Sequence, residues 1–470
     1  MFQPLTIKGV TFKNRVFASP ITTNRVVTEQ GYPTPETIDV YETKARGGFA
    51  EVTITESFID HEYSWRHEHG LNLWENPMST IHMEAIMILT EAIKAHGAVA
   101  AIQLNHVGAM NHPDTIPGHK NPIGPSAFVR EDGVQGEEMT VEMMEKTAAQ
   151  WAEVAWVCKS LGFQVINLHG GHGWLLNQFI SPKFNHRTDE FGGSMENRAK
   201  FPIMVCKKIR EVCGNDLLIE YRLSGSERME GGMTLEDGIE FAKIIQHHVD
   251  LIHVTSGSYQ DHVNTKAFSS MFDPHGCNLD LAEAIKKHVD VPVISVGGFN
   301  SPEQIEKAIA SGKCDIVAMG RQQFADPDFV NKTRDGIEDQ IAPCLRCSCF
   351  NPLSSDPDAR PIPALWHCTV NPRGQRELRW RNAPQPKGRR HVVVVQEITE
   401  DSVIYLNKEG KQQQIAADLV LHCCGSRSNK DLVKRLEGVC PRFIVVGDAR
   451  QARTVKEATY EGFCAAMDIL

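Results

Sequence analysis

Eight times over, this chain repeats a short β-branched apolar run, a polar loop and an amphipathic helical pattern, and it does so within roughly its first 340 residues. The runs are Arg15–Ser19, Glu51–Thr55, Val99–Leu104, Gln164–His169, Leu217–Arg222, Leu251–Thr255, Pro292–Val296 and Asp315–Met319. Helical patterns lie between them, among them Met83–Ala95, Val141–Leu161, Arg198–Val212 and Leu235–His247. Strands buried on both faces read as continuous apolar runs, and eightfold strand–helix alternation fits a closed (β/α)8 TIM barrel. An open doubly wound α/β sheet would also alternate.

Residues 341–386 differ in kind. They hold Cys344-Leu-Arg-Cys347-Ser-Cys349 and Cys368, together with a proline-rich loop, Ser354–Pro363. Too little apolar sequence is present to fold this segment alone, which suits a small unit organised around a metal. Four of the thirteen cysteines fall here, and such a cluster outside a secreted disulfide module points to metal or iron–sulfur ligation. After Lys387-Gly-Arg-Arg390 comes a strand at His391–Val395, a β-rich stretch through Leu421 and a final helix from Val455.

Composition excludes several classes. Hydrophobic residues make up 41% and charged residues 23% of the 470 residues, the profile of a globular protein with a large core. A formal charge of −10 argues against a nucleic-acid partner, which would need a basic face. No run of about 18 apolar residues suggests a membrane span. Met1-Phe-Gln-Pro-Leu opens no signal pattern, so a cytoplasmic protein is expected. A homo-oligomer stays open.

Polar residues end several of the expected strands. Gln103, His169 and Arg222 close the third, fourth and fifth, and in a barrel these ends converge on the face where active sites form. His169-Gly-Gly-His172-Gly-Trp174 could place two imidazoles around one point, as ligands or as donors to a carbonyl; no third metal ligand accompanies them. Val296-Gly297-Gly298 and Met319-Gly320-Arg321 put glycines after two successive strands, where backbone N–H groups can approach a phosphate and an arginine can pair with it. A phosphate site after the seventh and eighth strands recurs in this barrel.

Asn14–Pro20, Ala101–Leu104, His169–Phe179, the long Asn185–Arg198 block and Ala318–Arg321 together resemble the old yellow enzyme family. With the cysteines included, the chain resembles its iron–sulfur branch, typified by 2,4-dienoyl-CoA reductase and the clostridial enoate and steroid reductases. The resemblance implies FMN at the C-terminal ends of the strands. The backbone at Ser19, Pro20 and Ile21, with Ser57 and Gln103, would meet the isoalloxazine ring. Arg222 would lie near its N1–C2 carbonyl region, and Gly298, Gly320 and Arg321 would hold the phosphate. His169 and His172 would hydrogen-bond the carbonyl of an unsaturated small molecule. Cys344, Cys347, Cys349 and Cys368 would hold a [4Fe-4S] cluster, and NAD(P)H would be the reductant.

Three departures shape the expectations. Trp174 stands where the family pattern usually has a proton-donating tyrosine, and an indole N–H cannot serve as that acid. Tyr259, after the sixth strand, is the substitute candidate, with a role as pocket wall as the alternative. One residue, Ser348, separates Cys347 from Cys349 where relatives have two or three. In the tail, Val392–Val395 runs into Gln396–Asp401 without the glycine-rich turn and helix that cradle a dinucleotide, while Asp418–Arg427 and Val446–Ala449 resemble later parts of such a domain. Three parts are therefore expected: a barrel over 1–340, an iron–sulfur segment over 341–386, and over 387–470 the remnant of an FAD/NAD(P)-binding domain that has lost well over a hundred residues. FAD is expected only if a nucleotide-binding segment outside this sequence completes that domain. The function expected is an ene-reductase. Two alternatives stand beside it. One is an amine dehydrogenase of the same wider family, which would carry a flavin-linking cysteine that Ser19–Asn24 lacks. The other is a non-catalytic electron-transfer or scaffold subunit.

Overall fold

A computed structural model describes residues 1–21, 28, 30–64, 71–75, 78–259, 267–347 and 368–383, and in the tail 397–398, 402–406, 411–416, 421–422, 433–434 and 444–445. The chain forms two compact units, Met1–Arg346 and Cys347–Leu470.

The first unit is a closed barrel. Its strands are β1 (Val16–Ala18), β2 (Glu51–Phe58), β3 (Val99–Asn105), β4 (Val165–Gly170), β5 (Leu218–Ser224), β6 (Leu251–Thr255), β7 (Val293–Val296) and β8 (Ile316–Met319). Each pairs in parallel with its sequence neighbour, and β8 closes on β1 with Val317 opposite Val16. The outer layer comprises α1 (Pro35–Arg46), α2 (Thr80–Lys94), α3 (Val141–Ser160), α4 (Lys200–Cys213), α5 (Leu235–Ile245), α6 (Leu279–Lys286), α7 (Pro302–Ala310) and α8 (Phe329–Arg334). Helix starts follow local chemistry: Thr34 and Thr234 form capping boxes for α1 and α5, and Ser301 caps α7 ahead of Pro302, satisfying N–H groups the first turn leaves unpaired.

Alternation along each strand sorts side chains into two cores. Val52, Ile54, Ile102, Ile166, Ile219, Tyr221 and Ile252 face the helices. Val99, Ala101, Val165, Leu218, Leu251, Ile294 and Ile316 fill the barrel floor with Val10 and Phe12, which belong to the N-terminal hairpin Leu5–Ile7/Val10–Phe12. The floor is thus plugged at one end, leaving the C-terminal ends of the strands as the face on which a ligand can enter.

In the second unit, Glu397–Ile398, Ser402–Leu406 and Gln412–Ala416 form an antiparallel sheet, and Leu421–His422 pairs in parallel with Ile444–Val445. The strand expected at His391–Val395, the segment Gly447–Ala449 and the helix from Val455 lie outside the described residues.

Candidate active site

Interior positions of β3 to β6 become polar above the floor. Gln103 Nε2 donates to Asn167 Oδ1 at 2.8 Å, Asn167 Nδ2 donates to Glu220 Oε1 at 2.5 Å, and His253 Nδ1 lies 2.6 Å from the same oxygen. Glu51 on β2 accepts from Thr53 and lies close enough to Glu220 for the two carboxyls to repel each other. Burial first, then repulsion from Glu220, pushes the Glu51 carboxyl well above its ordinary range, which favours its protonated form.

That proton predicts a pH dependence of stability. A carboxyl whose folded pKa is raised binds more protons folded than unfolded. Its contribution is fully present below the ordinary glutamate value of about 4.3 and is lost as pH rises toward the folded value. Glu51→Gln should therefore flatten the decline in melting temperature above that pH. Calorimetry of both proteins across a pH series checks this; parallel slopes would contradict it.

At the rim stand the residues expected from the sequence. Arg222 pairs in register with His169 on one side and His253 on the other. His169 Nε2 lies 3.0 Å from His172 Nδ1, and His172 Nε2 lies 2.9 Å from Thr255 Oγ1. Burial first, then the charge of Arg222, holds His172 well below the ordinary histidine range, so it is neutral near pH 7. The His172 backbone is left-handed at φ 61°, a conformation of some cost for a non-glycine residue. Its N–H donates to Ser224 Oγ at 3.0 Å, Ser224 donates on to Gly257 O, and Tyr259 N–H donates to His172 O at 3.0 Å. Gly170 is required beside this turn because a Cβ would fall 2.2 Å from the Tyr221 ring. The two imidazoles expected around one point, as ligands or as donors to a carbonyl, do come together. The geometry links them into one unit, with both ring nitrogens of His172 engaged by His169 and Thr255.

Trp174 is 2% exposed and packs with Phe58 and Val107. Its ring centroid lies 5.9 Å from His169 and 5.2 Å from Tyr259, and Tyr259 in turn lies 5.6 Å from His172 and 5.4 Å from Phe268. The structure therefore brings Tyr259 into the same aromatic cluster as the two histidines.

Glycines line the ends of the seventh and eighth strands as a cradle, where neighbouring side chains approach the backbone closely. A Cβ on Gly298 (φ +73°) would sit 2.7 Å from Ser269 Oγ, and one on Gly320 would sit 3.2 Å from Ile21 Cδ1. Arg321 donates to Ser269 O and, at 2.8 Å, to Ser269 Oγ. Ser19 N–H donates to Met319 O at 3.0 Å, and Gln323 holds Ser19 O at 2.7 Å, setting Ser19–Ile21 beside Gly320. Ser57 is buried just past an irregularity in the β2–β3 register. Arg346 joins the cradle without having been anticipated. Its backbone is left-handed, its side chain donates to Asp273 O and Met271 O, and its Cδ would lie 3.1 Å from a Cβ on Gly298.

Among the cysteines, Cys344 N–H donates to Gln322 Oε1 at 2.7 Å and Cys344 Sγ accepts from Arg346 N–H at 3.4 Å. Cys347 Sγ lies 3.2 Å from Thr369 Oγ1, and Cys368 is buried. Cys349 lies outside the described residues. Among the described residues no group of three or more His, Cys, Asp or Glu is arranged to hold a metal ion, and no helix is long and apolar enough to cross a membrane.

Residues 1–340 match the family model described as the NADH:flavin oxidoreductase / NADH oxidase family. The chain belongs to this family. It is 34% identical to the NADH oxidase of Thermoanaerobacter brockii, over 84% of this chain and 59% of that protein. It is 30% identical to the cinnamate reductase of Clostridium sporogenes, over 80% of this chain and 58% of that protein. The chain thus spans less than two thirds of the length of these two relatives. In fold it is similar to 2-naphthoyl-CoA reductase, with a TM-score of 0.78, 21% identity and 98% of each chain covered. In a member of this flavin family, Arg321 and Ser269 beside Gly298 and Gly320 are donors of the kind a phosphate takes.

The phosphate assignment carries a test. Losing a charge-assisted pair costs roughly 1.5–3 kcal/mol, so Arg321→Ala should weaken FMN binding by about 10- to 150-fold. Gln103→Ala should weaken it far less. Equal FMN retention by both variants on a desalting column would contradict the assignment.

Proposed function

We propose that this protein is an NAD(P)H-dependent flavin oxidoreductase that reduces an alkene conjugated to a carbonyl, in a largely apolar enoate, enone, steroid or acyl thioester. The observation that carries the reading is the bonded pair His169–His172, placed between Arg222 and an aromatic wall over the strand ends of a family barrel. The similarity to a cinnamate reductase supports the same substrate class.

FMN bound on Ser19–Ile21, Ser57, Gln103, Arg222, Gly298, Gly320 and Arg321 would supply hydride, and a [4Fe-4S] cluster on Cys344, Cys347, Cys349 and Cys368 would supply single electrons. The chain's own residues do the rest. The His169–His172 unit donates a hydrogen bond to the substrate carbonyl and draws electron density from the alkene. Thr255 and Ser224 hold that unit in place. Arg222 keeps positive charge at the mouth of the barrel, which favours neutral histidines and the anionic form of a reduced ring. Phe58, Val107 and Trp174 exclude water from the carbonyl. Tyr259 delivers the proton to the α-carbon, since the Trp174 indole cannot.

The amine dehydrogenase alternative predicts the opposite electron flow. Dithionite-reduced protein mixed anaerobically with a conjugated enoate should regain its oxidised flavin absorbance, and oxidised protein mixed with secondary or tertiary amines should stay oxidised. Bleaching by an amine with no response to enoates would overturn the reading. Cofactor content tests the organisation. A protein of this mass should hold FMN and iron but no stoichiometric FAD, because residues 391–401 lack the glycines a pyrophosphate needs. One FAD per chain at that mass would contradict it.

A further inference from the structure

The polar layer beneath the rim is directional. Glu220 Oε1 receives Asn167 Nδ2 at 2.5 Å and faces His253 Nδ1 at 2.6 Å, so Glu220 acts there as an acceptor only. Asn167 must then turn its Oδ1 the other way, and it does, accepting from Gln103 Nε2 at 2.8 Å. Gln103 is left with its carbonyl oxygen and one N–H for the mouth of the barrel. Every member is almost wholly buried: Gln103 is 2% exposed, Asn167 0%, Glu220 0%, His253 2% and Glu51 1%. In such surroundings an amide turned the wrong way would strand a polar atom, so the orientation at one end dictates the orientation at the other.

We infer that Glu220 is a positioning residue for the flavin site, fixing through Asn167 which end of the Gln103 amide faces the bound ring. The inference rests on the reading of Gln103 as a flavin contact. The groups facing Glu220 are Glu51 from β2, itself bonded by Thr53, Asn167 from β4 and His253 from β6, with Arg222 two residues along its own strand. Glu220 Oε1 meets the Asn167 amide N–H and the His253 ring on its own account, whatever Glu51 does on the other side. Replacing Glu220 by glutamine gives position 220 an amide N–H. Asn167 can then turn its Oδ1 toward it and its Nδ2 toward Gln103, and the Gln103 amide inverts in response.

The test is FMN binding by the apoprotein, followed by flavin fluorescence, with the visible spectrum of bound FMN as second readout. Glu220→Gln should raise the FMN dissociation constant about three- to tenfold, the range of one hydrogen bond lost or reversed, and shift the flavin absorption bands. Asn167→Ala breaks the chain while leaving both carboxyl side chains in the protein, and it should do the same. Glu51→Gln spares the Asn167 and His253 contacts of Glu220 and should leave both readouts as in the parent. In the background Gln103→Ala, adding Glu220→Gln should change FMN affinity by less than about twofold, because the two act as one. Additive effects of the two changes, or an effect of Glu51→Gln as large as that of Glu220→Gln, would show general loosening of the barrel and overturn the inference. If Glu220→Gln does not fold, parent-like binding by Asn167→Ala overturns it alone. If Gln103→Ala itself leaves both readouts unchanged, the flavin reading of Gln103 is wrong and the inference falls with it.

Discussion

Tyr259→Phe should slow reduction of a conjugated alkene by about 10²–10⁴, the range for a positioned general acid, while reduction of the flavin proceeds at the parent rate. The expectation follows from the exchange at position 174. An indole N–H is a donor without a usable acidity, and Trp174 is walled in by Phe58 and Val107. The neighbouring phenol is Tyr259, whose ring lies 5.2 Å from the indole and 5.6 Å from His172, and whose backbone N–H is pinned to His172 O. Losing only the hydroxyl keeps that packing, so the measurement separates proton donor from pocket wall. Single-turnover kinetics read each half-reaction. Parent-like alkene reduction, with solvent deuterium still entering at the α-carbon, would assign the proton to water or another group.

His172→Ala should cost up to about 10²–10³ in kcat, the loss reached when a donor to a developing oxyanion is no longer held in place. The mechanism differs from that of a free second donor. His172 engages His169 with one nitrogen and Thr255 with the other, so its removal releases His169 rather than deleting a direct contact. Thr255→Val removes the far anchor and should therefore give a smaller loss in the same direction. Flavin retention should be that of the parent in both variants. Near-parent kcat for His172→Ala on a substrate the parent reduces would sink the proposed role.

The barrel was legible because parallel strands buried on both faces leave little room for anything but aliphatic residues. The eight runs read from the sequence coincide with the eight strands, Gln164–His169 with Val165–Gly170 and Asp315–Met319 with Ile316–Met319. The strand-end residues were legible for a related reason: a polar side chain closing an apolar run marks the rim. The layer beneath was not recognised. Asn167, Glu220 and His253 each interrupt an apolar run two residues before a rim residue, at interior parity, and that spacing was the available signal. What the spacing could not supply was their connection, since Glu51 and Glu220 meet across the barrel only after closure. His-Gly-Gly-His does signal two imidazoles around one point, but it carries no signature of His172's left-handed backbone, which turns that ring onto His169 and Thr255. Nothing in Cys344-Leu-Arg-Cys347 signals that the Arg346 side chain reaches the carbonyls of Met271 and Asp273 beside the glycine cradle.

The central claim is that the histidine unit activates a carbonyl so that the adjacent alkene is reduced. Chemically reduced protein in D2O, mixed anaerobically with a conjugated enone and quenched after one turnover, gives product whose mass and NMR spectrum test it directly. The saturated ketone is expected with deuterium at both the α- and the β-carbon, since chemical reduction in D2O leaves only solvent deuterium for both transfers. Recovery of the unchanged enone with the flavin still reduced, or reduction of the carbonyl to an alcohol with the alkene intact, would contradict it.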